Sequence, residues 1–210
     1  MEILLPAVIS VVAAYLLGAI PTGYLFGKML KGIDIRAHGS KNMGATNVFR
    51  VLGKGPGIAV LIIDILKGVL PLTVLANGLG LDEPWVLVLI GMAAVAGHNW
   101  TVFLKFKGGK GVATTLGVLI GLAIQIPGLR PVLLLTLAVW LMTFLPFGYV
   151  SLASITAAVS LPILMVLFNA PFVIIVMSIC LSVFVVARHR VNISRLLKGQ
   201  ENRIKLPFHT

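Results

Sequence analysis

Apolar residues fall into seven long runs, at about 3–26, 55–79, 84–103, 112–126, 132–145, 150–168 and 172–187. Short breaks rich in glycine, proline, lysine and arginine separate them. Most of these runs approach the length of roughly 17–25 residues that crosses a bilayer core as a helix. The pattern predicts an all-α, polytopic integral membrane protein with seven transmembrane helices, in which residues 1–210 form one membrane-embedded domain. Gly18, Pro21 and Gly23 near the end of the first run predict a kink or a close helix crossing. Pro146-Phe147-Gly148 predicts a tight return between the fifth and sixth runs. The chain starts with Glu2 and no basic stretch, so the first run reads as a retained helix and not as a cleaved signal.

Composition agrees: 59% of residues are hydrophobic, 11% are charged, and the mean hydropathy is +1.07. Soluble domains carry about a quarter charged residues. The net charge of +11 is unevenly placed. Fifteen of the seventeen cations lie in three places: the 27–54 break (Lys28, Lys31, Arg36, Lys41, Arg50, Lys54), the 105–111 break (Lys105, Lys107, Lys110), and the tail (Arg188, Arg190, Arg195, Lys198, Arg203, Lys205). Arg130 falls in an opposite break, and Lys67 lies inside the second run. The positive-inside rule then predicts the N-terminus outside and the C-terminus in the cytoplasm. This bias accounts for the basicity without nucleic acid, and Arg203 and Lys205 suit anionic lipid headgroups. The lone Cys180 forms no internal disulfide.

Three polar stretches face the same side in this topology. The first, Gly39 to Arg50, holds two asparagines, a serine, a threonine and two cations, with no acid. Such a run wraps hydrogen-bond donors around an anion. The second is His98-Asn99-Trp100 followed by Lys105 to Thr115. Gly108, Gly109 and Gly111 allow close approach of backbone amides, and the helix opening after them favours an anion. Lys107 and Lys110 add charge, and Thr114 adds a first-turn hydroxyl. This is a phosphate cradle by its chemistry, without the spacing of a Walker A loop. The third is the start of the tail, Arg188 to Arg195, where Asn192 serves no headgroup attraction.

Inside the second run, Asp64 and Lys67 share one helix face. Each charge costs about 2.5–3.5 kcal/mol at a helix centre, so both turn inward to partners. Two readings stay open: a structural pair, or Lys67 at the base of an anion site. His98 is the candidate acid or base, or else an interfacial histidine in a plain hydrogen bond. No carboxylate accompanies it in sequence. A His-x-x-x-x-Asp pair would need Asp at 103, where Phe103 stands, and the cytoplasmic side offers only Asp34 and Glu201. A site rich in donors and poor in bases suits a donor that is already activated, such as a mixed anhydride of a fatty acid and phosphate.

The three stretches resemble the motifs of the bacterial acyl-phosphate:glycerol-3-phosphate acyltransferase (PlsY) family. The matching residues are Gly39-Ser40, Gly44, Thr46-Asn47 and Arg50; Gly97-His98 with Phe106 to Thr114; and Arg188-His189-Arg190, Asn192-Ile193, Arg195-Leu196, Gly199 and Glu201. The resemblance implies acyl transfer from acyl-phosphate to the sn-1 hydroxyl of glycerol-3-phosphate, giving lysophosphatidic acid and phosphate, the first step of phospholipid synthesis. It implies neither metal nor cofactor, a place in the bacterial inner membrane with the active site facing the cytoplasm, and a soluble partner (PlsX) that makes the acyl-phosphate. Carried over, Ser40, His98 and Asn192 would sit at the reacting centre. Lys107, Gly108, Gly109, Lys110 and Thr114 would hold phosphate, with Asn47, Arg50, Lys67, Arg188 and Arg195 completing the anion site. The competing reading is a membrane transporter for a phosphorylated or lipid anion. Its usual sign is broken helices in paired positions of two halves, and the sequence shows no internal repeat.

Overall fold

A computed structural model describes residues 3–204, so Glu2 and Lys205 lie outside the described residues. No strand occurs among the described residues. The chain divides into two compact units, Met1–Gln125 and Ile126–Thr210.

The first unit contains α1 (Leu4–Ala19), α2 (Thr22–Lys31), α3 (Ala45–Leu52), α4 (Lys54–Leu70), α5 (Pro84–Asn99) and α6 (Val112–Gln125). The predicted kink in the first run is a break between α1 and α2. Pro21 has no N–H, so the carbonyl four residues back loses its helical partner. Ile20 supplies one instead, its N–H reaching the Leu17 carbonyl at 3.3 Å. The two carbonyls at the break find donors from elsewhere in the unit. Thr101 Oγ1 donates to Ala19, and Lys67 Nζ donates to Ile20. At membrane depth such pairing is obligatory.

Helix α5 crosses α1 at very short range. A side chain at Gly97 would place its Cβ 2.2 Å from the Tyr15 carbonyl oxygen. The crossing fixes the end of α5, and Tyr15 clamps it by donating to the Trp100 carbonyl at 2.8 Å. Helix α4 continues through a widened turn at Pro71–Leu75, where Gln125 Nε2 takes the Leu72 carbonyl at 2.8 Å. The 27–54 break packs Ile35, Met43 and Val48 with Val60 of α4 in a small core, with Phe26 and Leu104 against it.

The second unit contains α7 (Arg130–Phe147), α8 (Val150–Leu167), α9 (Phe172–Arg188) and α10 (Arg190–Leu197). Helices α7 and α8 pack together, as do α8 and α9. Thr156 joins α8 to α7 by donating to Thr143 at 3.0 Å.

All seven apolar runs are helical, but they are not equally long. Five spans are long and apolar enough to cross a membrane, and six if α9 and α10, bent by 59°, count as one. Helix α6 has 14 residues. At 1.5 Å per residue that is about 21 Å, short of a core of roughly 30 Å. It starts after the glycine turn and ends where Ile126, the residue before Pro127, turns extended.

Gly97→Val should destabilise the fold by about 2 kcal/mol through overpacking against backbone, seen as a lowered unfolding midpoint in detergent. Gly55→Val, with no heavy atom within 4 Å of its Cβ position, should leave that midpoint unchanged or slightly higher.

Candidate functional site

The stretch from Gly39 to Arg50 is organised by one side chain. Asn47, in the first turn of α3, is 1% exposed. Its Oδ1 accepts from the Ser40 N–H at 2.7 Å. Its Nδ2 donates toward the carbonyls of Asn42, His38 and Ile35 at 2.7, 3.0 and 3.1 Å. Asn47 was expected among the anion binders, yet its carboxamide is committed to the loop itself. Its contribution is to hold Ser40, which is half-buried, in place. Arg50 is exposed at the far end of α3.

Asp34, one of the two cytoplasmic acids expected from sequence, is also taken. Arg36 Nη2 donates to its Oδ2 at 2.8 Å. The Arg36 side-chain hydrogen bond holds the Asp34 carboxyl below its ordinary range, helped by the Arg36 backbone N–H and the charges of Arg36 and Lys28. Beside this pair, a cavity of about 410 Å³ brings Lys41 and Asn42 of the first stretch next to Lys107 and Gly108 of the second.

The glycine–lysine turn folds back onto the end of α5. The Gly108 N–H donates to the Asn99 carbonyl at 3.2 Å and the Gly109 N–H to the His98 carbonyl at 3.0 Å. These two amides, expected to face an anion, serve the turn instead. What the glycines supply is proximity. A Cβ at Gly109 would lie 2.2 Å from His98 Nε2, so only glycine lets the turn pack this closely on the ring. Lys107 is exposed and Lys110 half-buried. Thr114, in the first turn of α6, is fully buried, and its Oγ1 has no hydrogen-bond partner.

His98 is 3% exposed. Sequence gave it no carboxylate, but the fold does. Asp64 Oδ1, on α4, lies 3.9 Å from His98 Nδ1. The same oxygen accepts from Lys67 Nζ at 2.7 Å and from Thr22 Oγ1 at 3.0 Å. Of the two readings of Asp64 and Lys67, the structure displays the ion pair, with Lys67 also tied to the Ile20 carbonyl. An intramembrane acid was the signal for a functional partner. Sequence spacing pointed it at Lys67, and only the crossing of helices reveals His98.

The second unit carries Asn192, Arg188 and Arg195. Asn192 is 8% exposed, and its Nδ2 donates to Glu201 Oε1 at 2.7 Å. Ser151 Oγ donates to the same oxygen at 2.9 Å. Glu201, matched in sequence but given no role there, is thus the group that orients Asn192. Arg188 and Arg195 are half-buried at the end of α9 and on α10.

The sequence profile described as Glycerol-3-phosphate acyltransferase matches residues 8–199. The chain belongs to that family. A glycerol-3-phosphate acyltransferase of Geotalea daltonii is 49% identical over 199 residues, covering 94% of this chain and 97% of that protein. Two crystal structures of PlsY, an integral membrane glycerol 3-phosphate acyltransferase, are also similar, each 44% identical. The glycerol 3-phosphate form has a TM-score of 0.85 and covers 95% of this chain and 96% of that one. The lysophosphatidic acid form has a TM-score of 0.82, with 95% coverage of both.

Gly109→Ala should push the His98 ring aside. A misplacement of this size costs on the order of 10²-fold in kcat, measured as acyl transfer by purified protein. Asn47→Ala should release the Ser40 loop and speed tryptic cleavage at Lys41, while Arg50→Ala should not.

Proposed function

We propose that this protein transfers a fatty acyl group from acyl-phosphate to the sn-1 hydroxyl of glycerol-3-phosphate, giving lysophosphatidic acid and phosphate. The observation that carries the reading is His98, with its Nε2 directly beneath Gly109 of the Lys107–Lys110 turn. An imidazole under a basic, glycine-lined turn joins a hydroxyl-orienting group to a phosphate cradle. Family membership supplies the substrate: glycerol-3-phosphate.

The step is direct. The sn-1 hydroxyl oxygen attacks the acyl carbonyl carbon, the new ester bond forms, and the anhydride bond to phosphate breaks. His98 accepts the hydrogen bond of the attacking hydroxyl, and its proton ends on the departing phosphate, so the substrate assists its own reaction. Ser40 and Asn192 hydrogen-bond the carbonyl or the leaving phosphate. Lys107, Lys110 and Thr114 hold a phosphate, and Arg50, Arg188 and Arg195 add positive charge. Charge building on oxygen is met by fixed donors, which is where such sites gain most of their rate. These cations supply the charge without a bound metal. The acyl chain enters from the bilayer, and a soluble acyl-phosphate-forming partner, PlsX, supplies the donor. The cation distribution supports seven spans with the N-terminus outside and this site on the cytoplasmic face of the bacterial inner membrane.

Purified protein given palmitoyl-phosphate and glycerol-3-phosphate, with EDTA and no CoA, should form lysophosphatidic acid. No product, with labelled glycerol-3-phosphate accumulating in proteoliposomes, would establish the transporter instead. Lys110→Ala should raise KM for a phosphate substrate about tenfold, the loss of roughly 1.4 kcal/mol of binding. An unchanged KM removes Lys110 from the cradle.

A further inference from the structure

The cavity of about 410 Å³ beside Asp34 has no part in the steps above. Its size falls within the range of roughly 300–1,000 Å³ typical of small-molecule sites. Arg36, Lys41 and Lys107 line it, and Asp34 is the acid among its lining residues. Three cations against one acid leave two net positive charges. That matches a phosphate monoester, which carries a charge of about −1.5 to −2 at neutral pH. We propose that this cavity is a binding site for the phosphate of a small water-soluble molecule, outside the cradle. This rests on the acyl-transfer reading for its ligands: glycerol-3-phosphate arriving and inorganic phosphate leaving present the same dianion. Lys107, assigned above to the cradle, also lines the cavity, so the two positions adjoin.

The cationic wall is built before any anion arrives. Arg36 Nε and Nη2 donate to Asp34 Oδ1 and Oδ2 at 3.0 and 2.8 Å, and the guanidinium carbon lies 5.2 Å from the centre of the Tyr24 ring. Nη1 stays outside that pair. A guanidinium fixed in this way loses little freedom on meeting an anion. Lys41 is held in a strained conformation. Its φ of +58° is left-handed, which penalises a residue with a Cβ and which glycine adopts freely. The loop fixes it from both sides. Asn47 takes the Ser40 N–H and the Asn42 carbonyl, and the Lys41 N–H donates to the His38 carbonyl at 3.0 Å. Strain at a residue that also lines a cationic cavity points to function.

The ammonium groups are available. Among the described residues, neither Lys41 nor Lys107 pairs with a carboxylate. Both side chains are exposed, so the site is reached from water. The lining offers a fatty chain only Ala37 and the buried Met43, so the acyl donor's tail has no place in it.

Equilibrium dialysis of the full-length protein in detergent tests the assignment without turnover. The probes are [³²P]orthophosphate and, separately, [¹⁴C]glycerol-3-phosphate, at low salt because exposed cations are screened. Lys41→Gln and Lys41→Gly should each weaken binding of one or both probes about tenfold, the effect of losing one charge-assisted contact. Lys41→Arg keeps the charge and should keep most of the binding. Lys54→Gln removes the same charge outside the cavity and should bind as the wild type does. The unfolding midpoint of Lys41→Gly without ligand should equal or exceed that of the wild type, since glycine suits the left-handed backbone. That separates lost binding from lost folding. Weaker glycerol-3-phosphate binding alone marks a route of entry, weaker orthophosphate binding alone a route of exit, and weaker binding of both a site that serves each. Wild-type affinity for both probes in Lys41→Gln and Lys41→Gly overturns the proposal, as does an equal loss in Lys54→Gln. Either result with lysophosphatidic acid still formed removes this site alone. The expected losses without any lysophosphatidic acid formation would refute the acyl-transfer reading and leave the anion site standing.

Discussion

The first unit depends on one ion pair placed where ion pairs are expensive. Asp64 and Lys67 lie on α4, about 15 and 20 Å along the helix from Lys54. Both are buried, at 2% and 5% exposed. Removing one partner from such a pair typically costs about 3–5 kcal/mol, because the other charge is left stranded. The pair also does more than neutralise itself. Lys67 caps the Ile20 carbonyl, exposed by the break at Pro21, and Asp64 receives Thr22 just beyond that break. The broken helix, the α4 span and the end of α5 are thereby tied at one point, and His98 sits beside it.

Around that point the polar stretches prove to be tightly built. Asn47 closes the first stretch on itself with four backbone partners. His98 and Asn99 close the glycine turn with their own carbonyls. A small apolar core under the 27–54 break anchors the first stretch to the membrane helices. Groups fixed before substrate arrives need no reorganisation when charge develops, which is what the proposed transfer from an activated donor requires.

Much of this was legible in the sequence. The apolar runs stand out as helices because a chain in a bilayer must satisfy its backbone internally, and five of the described spans, or six with α9 and α10 taken as one, are long and apolar enough to cross it. The three polar stretches stand out because polar residues in such a chain are costly and few. What sequence could not show is where each polar group spends its hydrogen bonds. Asn47, Gly108 and Gly109 look like anion donors in one dimension, and in three they serve the loop and the turn. Asp64 looks like Lys67's partner at i,i+3, and the fold also brings it to 3.9 Å from His98 on α5. Glu201 looks like a tail charge and is the anchor of Asn192. The shortness of α6 was already visible in the run 112–126, which its 14 residues nearly fill.

In the proposed reaction the acyl group passes directly between substrates, and Ser40 serves as a hydrogen-bond donor and not as a nucleophile. Rapid mixing of the purified protein with palmitoyl-[³²P]phosphate alone tests it most directly. Direct transfer predicts no burst of labelled phosphate until glycerol-3-phosphate is added, and no acyl group retained on the denatured protein. A burst matching the enzyme concentration, with palmitate bound to Ser40, would contradict it.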